Sequence, residues 1–283
     1  MPDLRPLRCP VSGGTSARRV FVYEAPPHGE IGFRRAAGEP YYREVWQFEI
    51  SNHFVSRHAM TVATDYDGAY VDATYPGEAG LASTFDRIIA LPPEKSDNVG
   101  RIARIRAHAN GHFRSARTLR LLDVGAGLGV FPYAVKQTGW DCTAIDPDPR
   151  AVEHLRARVG VEAVCGDFMQ LQMPGSFDVI TFNKVLEHVQ DPVAMLGRTH
   201  AMLADGGFVY VELPDGEAAA RAGASREEFF IEHFHVFSFA SIVMLANRAG
   251  YFPVCVERLQ EPSTKFTLRA FLVPDRSPTV RLK

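Results

Sequence analysis

The sequence predicts an α/β fold built on a mainly parallel sheet, and three observations predict it. From residue 118 onward, short apolar runs alternate with stretches of helical period, the pattern of strands joined by crossover helices. A glycine-rich turn, Asp123–Gly129, directly follows the first of these runs and directly precedes the first helix. Residues 1–95 differ in texture, being rich in Pro, Gly, Tyr and Phe. The chain therefore divides into a β-rich N-terminal cap or substrate region over 1–95 and an α/β domain over 96–283.

In the cap, short β-like runs such as Arg19–Tyr23 and Val45–Ile50 stand between turn signals, and no long helical period is visible. From Asp97 the pattern becomes helical, with Val99, Ile102, Ile105 and Ala109 on one face. Asp97 is expected to cap this helix, because its carboxylate can accept from a free backbone N–H of the first turn. Candidate strands follow at Leu119–Val124, Cys142–Ile145, Glu162–Cys165, Phe177–Phe182 and Phe208–Leu213. Helices between them begin near Gly129, Pro149 and Pro192. A further helix from Ser238 to Ala249 carries the stripe Ile242, Leu245, Ala246 and Ala249 and stops at Gly250. Two strand-like runs, Pro253–Arg258 and Phe266–Val273, bring the count to seven.

Bulk properties narrow the function. The 283 residues are 46% hydrophobic and 23% charged, with a net charge of −2. No basic excess marks a nucleic-acid binder, so the expected partner is a small molecule. No apolar run approaches the ~20 residues that span a bilayer, and the N-terminus lacks the apolar core of a signal peptide. Four scattered cysteines make no disulfide framework; Cys142, Cys165 and Cys255 read as small buried hydrophobes. A reduced, cytoplasmic protein with no membrane segment is expected.

Chemistry concentrates around the glycine turn. Gly125 and Gly127 permit positive φ and let a ligand lie against bare backbone, while the following helix points free N–H groups at it. A dinucleotide fingerprint needs a third glycine where Val130 stands. An acid two residues ahead of the turn, Asp123, suits the ammonium and sulfonium charges of S-adenosylmethionine and would repel a pyrophosphate. At the end of the next strand, Asp146, before Pro147, lies about 20 residues past the glycines, where an acid accepts from ribose hydroxyls. Asp148 reads as a helix N-cap. After the third strand, Gly166-Asp167-Phe168 offers an acceptor for an adenine amino group and apolar surface for the ring.

These motifs, with Phe177–Val189 and Leu203–Gly207, resemble class I S-adenosylmethionine-dependent methyltransferases in order and spacing over roughly residues 97–275. The resemblance implies a Rossmann-like seven-stranded sheet with helices on both faces and an antiparallel last strand. It implies S-adenosyl-L-methionine as cofactor and S-adenosyl-L-homocysteine as product. It puts Asp123 near the methionine amino group, Gly125, Ala126 and Gly127 under the cofactor, and Asp146 with Pro147 at the ribose. Asp167 and Phe168 fall at the adenine, and Asn183 beside the methionine end.

The acceptor side carries less information. Methyl transfer to a hydroxyl needs alignment and removal of a proton, and His188, His233 and His235 are the candidate bases. Glu232–Ser238 resembles the segment that lines the acceptor pocket in this family. Some quinone-pathway relatives carry two acids and a histidine in the region matching Lys184–His188; Lys184 holds the first acid's place here, so no metal is expected. Cys9-Pro10-Val11-Ser12-Gly13 resembles half a zinc knuckle but lacks the second cysteine. The Tyr-rich stretch Asp65–Gly77 resembles leaders of sugar-pathway methyltransferases. The leading expectation is methyl transfer to a hydroxyl of a small metabolite, a sugar or nucleotide-sugar among the options. The alternatives are a noncatalytic S-adenosylmethionine-binding module and an NAD-linked oxidoreductase, the latter disfavoured by Val130 and Asp123.

Overall fold

Two β-sheets organise the chain. The structure, a computed structural model, describes residues 4–6, 8–33, 36, 38–62, 78–114, 117–173 and 175–276. The Tyr-rich stretch Asp65–Gly77 lies outside the described residues.

The larger sheet comprises β4 (Arg120–Val124), β5 (Asp141–Asp146), β6 (Glu162–Cys165), β7 (Phe177–Asn183), β8 (Leu203–Pro214), β10 (Tyr251–Gln260) and β11 (Phe266–Pro274). Their order is β10-β11-β8-β7-β4-β5-β6. The five strands β4 to β8 pair in parallel, while β11 runs antiparallel to both β8 and β10. This is the expected Rossmann-like sheet with an antiparallel last strand. Strand alternation separates the core into two faces. Leu122, Ile180, Val209 and Val211 pack on one side with α5 (Pro192–Arg198) and α7 (Phe239–Arg248). Leu121, Val179, Phe208 and Tyr210 pack on the other with Ile105 and Ala109 of α2 (Asp97–His112). The remaining crossovers are α3 (Val130–Lys136) and α4 (Pro149–His154). Asp148 caps α4, its carboxylate accepting from Arg150 N, and Ser238 with Ser241 forms a capping box on α7.

The smaller sheet is antiparallel, ordered β1 (Ala17–Tyr23), β2 (Arg43–Phe48), β3 (Phe54–His58), β9 (His235–Val236). Its fourth strand thus comes from the connection between β8 and α7, after the short helix α6 (Gly216–Ala222). Arg43, fully buried, fastens the two parts. It donates to Glu30 Oε2 at 3.0 Å and to the Phe229 carbonyl at 2.6 Å, and its guanidinium lies 4.1 Å from the Tyr23 ring centre. Glu30 Oε2 also accepts from Ile231 N at 2.8 Å, so one ion pair positions the segment leading to His233.

Several expectations are corrected. Residues 1–95 do contain a long helix, α1 (Glu78–Ile89), whose Phe85 is buried among Ala144, Val152 and Leu155 of the larger unit. Asp97 is not the N-cap: Ser96 holds that position, and the Asp97 carboxylate accepts from Ser263 N at 3.0 Å and Ser263 Oγ at 2.6 Å. The predicted face of α2 also shifts, with Val99 exposed and Asn98 buried and donating to the Val130 carbonyl at 3.1 Å. Cys142 is buried as expected, but Cys165 is exposed because β6 is an edge strand, and Cys255 is only half-buried.

Candidate functional site

The C-terminal ends of β4, β5, β6 and β7 converge on the glycine turn. Asp123 ends β4 almost wholly buried, where Oδ1 accepts from Thr181 Oγ1 at 2.6 Å and from Asn183 Nδ2 at 2.8 Å. Thr181 stands opposite Asp123 in the β4–β7 register, and Asn183, two residues on, shares its face. Burial pushes the Asp123 carboxyl up to about 7, against the pull of those two donors. Asn183 Oδ1 is buried with no hydrogen-bond partner among the described residues. A buried acceptor in that state is costly unless a ligand donates to it.

Gly125 N and Ala126 N donate to the Ile145 carbonyl at 2.8 and 3.1 Å, pinning the turn to β5. Gly127 N donates to Asp146 Oδ2 at 2.8 Å, and Asp148 N donates to Asp146 Oδ1 at 2.9 Å. Burial raises the Asp146 carboxyl, opposed by both backbone donors. The glycines are not equivalent. A Cβ on Gly125 (φ +71°) would lie 2.8 Å from Val185 Cγ2, whereas one on Gly127 (φ +50°) would have no atom of the described residues within 4 Å. Gly125 lets the turn close on Val185; Gly127 leaves open space above bare backbone.

A cavity of about 230 Å³ opens beyond the turn, with Gly125, Pro147, Asp167, Phe168, Val185 and Val189 in its wall. Asp167 Oδ1 accepts from Met169 N at 2.8 Å. Phe168 is buried, its ring edge-on to Phe182 at 5.8 Å, and it offers the cavity its rim. The apolar wall, the open space over Gly127 and the unpaired Asn183 oxygen fit an adenosyl amino acid. Val185 and Val189 of this wall, and Thr181 under Asp123, fall within the Phe177–Val189 run without a role of their own in the sequence reading, and Met195 lies outside every motif. For Thr181 a signal existed, since its spacing of two from Asn183 puts both on one strand face.

The histidines separate. His188 and His233 line a second cavity of about 320 Å³, together with Lys184, Glu187, Glu232 and Lys265. Their rings lie 4.8 Å apart, edge to face. Glu187 is fully buried, neither of its carboxylate oxygens has a hydrogen-bond partner among the described residues, and burial pushes it up to about 8 against the opposing charge of Lys184. Burial also pushes Glu232 up to about 7, His188 down to about 4, and His233 well below the usual histidine range. Lys184 holds a positive φ of 60° at the end of β7, and its ammonium donates to Thr267 Oγ1 at 2.7 Å. His235 faces elsewhere: it lies 3.2 Å from the ring of His53, which reaches Ser241 Oγ at 3.3 Å. That chain ties β9 to β3 and α7. Burial pushes His235 down to about 4.

The two cavities share a wall. Val185 and Val189 face the first, while Lys184, Glu187 and His188 face the second. A third space of about 600 Å³ lies at the opposite edge of the sheet, beside Arg120, Asp141 and Glu162 at the starts of their strands. Ligands of open α/β sheets bind at the carboxyl ends of strands, not there.

Comparison with known proteins agrees with this geometry. Residues 83–256, more than half of the chain, match a family described as a methyltransferase domain. Among curated relatives, a ubiquinone biosynthesis O-methyltransferase of Pseudomonas aeruginosa (strain UCBPP-PA14) is 34% identical over 99 residues, covering 32% of this chain and 43% of that protein. A namesake from Xanthomonas campestris pv. campestris (strain B100) is 34% identical over 110 residues, covering 36% of this chain and 46% of its own length. The match thus spans less than half of either relative. Among solved structures, the magnesium protoporphyrin IX methyltransferase of Synechocystis PCC 6803 superposes with a TM-score of 0.55 at 13% identity, covering 74% of this chain and 100% of its own. The 1,6-didemethyltoxoflavin-N1-methyltransferase of Burkholderia thailandensis gives a TM-score of 0.53 at 18% identity, covering 88% and 99%. At those identities the likeness is one of fold.

Proposed function

Since the chain belongs to the class I S-adenosylmethionine-dependent methyltransferases, we propose that it moves a methyl group from that cofactor to a hydroxyl of a small polar metabolite. The observation that carries this reading is the shared wall: residues 184–189 separate an apolar cavity at the glycine turn from a polar, titratable one beyond it. A donor on one side and an acceptor on the other would meet across the end of β7. S-adenosylmethionine supplies a methyl carbon already activated by its sulfonium. The chain's own work is then binding, alignment and proton removal.

In this reading, Asp123 and Asn183 hold the methionine end, the Asn183 oxygen accepting from the amino group. Asp146, steadied by Gly127 N and Asp148 N, accepts from the ribose. Pro147, Asp167 and Phe168 border the adenine. On the acceptor side, His188 and His233 are the groups placed to take a hydroxyl proton, Glu187 holding its own near neutral pH, and His235 is a brace between β9 and β3. Gly29 and Ile31 contribute to the acceptor cavity, so residues 1–95 act as the cover of that side. A sugar or nucleotide-sugar suits the density of polar groups there. No helix among the described residues is long and apolar enough to cross a membrane.

Calorimetry tests the donor half: S-adenosylmethionine and S-adenosylhomocysteine are expected to bind, and binding of NAD in their place overturns the reading. Release of S-adenosylhomocysteine across sugar, nucleotide-sugar and phenolic acceptors tests the other half. His233→Ala is expected to lower turnover while leaving cofactor affinity nearly intact. Failure of every acceptor class would favour a noncatalytic binding module.

A further inference from the structure

Two glutamates of the acceptor cavity, Glu187 and Glu232, bury oxygens that nothing in the chain answers. Glu187 is 0% exposed, and neither of its oxygens has a hydrogen-bond partner among the described residues. Glu232 is 8% exposed, and its Oε2 has none either. Both protonation states leave something unmade: a carboxylate lacks donors, and a carboxylic acid lacks an acceptor for its O–H. His188, next to Glu187 in the chain, donates through Nδ1 to the Glu232 carbonyl at 2.9 Å, tying the two segments together.

The protein's own cations are committed elsewhere. Glu187 feels the charges of Lys184, Lys265 and Glu212, and Glu232 those of Glu30, Arg43 and Lys265. Lys184 donates to Thr267 Oγ1 at 2.7 Å, Lys265 pairs with Glu227 at 3.5 Å, and Arg43 holds Glu30 at 3.0 Å. Glu212 is taken by Arg101 at 2.8 Å, and Glu228 of the same cavity by Arg226 at 2.8 Å. What is left over is acid. Such a wall repels a phosphate and attracts a cation.

We propose that the acceptor cavity recognises a protonated amine through Glu187 and Glu232, so that the acceptor is an amine-bearing polyol of the amino-sugar class. A primary ammonium brings three donors and a charge to the unanswered oxygens, where a hydroxyl brings one donor and none. This names the acceptor of the methyltransferase reading and rests on it. An ammonium has no lone pair with which to attack a methyl group, so the amine anchors the acceptor and a hydroxyl remains the nucleophile. Burial raises Glu187 to about 8 and Glu232 to about 7 in the empty cavity. An opposite charge favours the ionised forms, so entry of the amine releases protons to the buffer, and entry of a neutral sugar does not.

The test is calorimetry on the full chain near pH 7, with and without S-adenosylhomocysteine, in two buffers of different ionisation enthalpy. The probes are D-glucosamine and D-galactosamine against D-glucose and D-galactose. The amino sugars are expected to bind about tenfold tighter or more than their parents, a charge-assisted bond being the difference, and to release protons. Glu187→Gln and Glu232→Gln, with folding checked by circular dichroism, are each expected to remove most of that preference. Glu94→Gln, at an exposed glutamate, should keep it. Equal binding of amino sugars and parents, or no binding of either, overturns the proposal; if that wild type binds S-adenosylhomocysteine, the methyltransferase reading stands. A preference that survives in both folded variants overturns it too. A preference lost in both variants, in a wild type that fails to bind S-adenosylhomocysteine, supports the amine site and sinks the methyltransferase reading. The wild-type preference and its proton release decide the matter even where a variant does not fold.

Discussion

Replacing Gly127 by alanine should separate folding from cofactor binding. Gly127 sits at φ +50°, left-handed backbone that costs an L-residue about 1–2 kcal/mol. Among the described residues the added methyl meets nothing, since none has an atom within 4 Å of its Cβ position. The backbone N–H to Asp146 survives the change, so the turn keeps its tie to β5. The expected stability loss is therefore only the backbone term, a fall in Tm of about 2–8 °C for a chain of this size. Binding should suffer more, because the methyl would fill the open space over which the cofactor is proposed to lie. Loss of affinity for S-adenosylhomocysteine is expected to exceed tenfold by calorimetry at a temperature where the variant is folded. Gly125→Ala provides the contrast: its Cβ would stand 2.8 Å from Val185 Cγ2, so stability should fall further, and Val185→Ala should restore part of it. A Gly127→Ala protein that loses a few degrees of Tm yet binds S-adenosylhomocysteine with wild-type affinity would refute the cradle.

Three further perturbations probe other parts. Asp146→Asn keeps one acceptor oxygen for the turn but loses the charge, and should weaken S-adenosylmethionine binding about tenfold or more, the charge-assisted bond being worth ~1.5–3 kcal/mol; unchanged affinity would speak against a ribose contact. Glu187 is raised from 4.5 to about 8 in the folded chain, so the folded state holds a proton that the unfolded state has released between those values, and its stability contribution falls as pH rises through that window. Glu187→Gln should therefore match wild type near pH 4 and become more stable than it by pH 8, by at most ~4 kcal/mol; urea titrations at several pH values showing a constant difference would exclude an uncompensated buried carboxylate. Arg43→Met strands Glu30 inside the smaller unit and should cost about 3–5 kcal/mol; a loss below about 1 kcal/mol in the same assay would mean the ion pair does not fasten the cap.

What the sequence reveals about this protein depends on how far apart the determining residues lie. The glycine turn, the acid ending β5 and the Gly-Asp-Phe after β6 are each decided by a few contiguous residues, and strand order places them side by side at one sheet edge. Helix α1 was within reach, since Leu81, Phe85 and Ile88 follow helical spacing, but the neighbouring Tyr- and Pro-rich texture concealed it. Asp97 went astray because its partner, Ser263, lies far along the chain. The histidines show the same limit more sharply. His233 and His235 are two residues apart, which in a strand would put them on one face. The strand begins only at His235, whose partner His53 belongs to the other end of the chain, while His233 turns back to the Glu228 carbonyl. The second cavity is assembled from Gly29 and Ile31, from Lys184–His188, from Pro214, from Glu227–His233 and from Lys265. No single segment of it has a recognisable pattern, and the missing partner of Glu187 is a property of the assembly alone. If this cavity takes the acceptor as proposed, the same dispersal lets preference change through five separate segments without disturbing the glycine turn, so specificity should track those segments rather than the motifs that define the family.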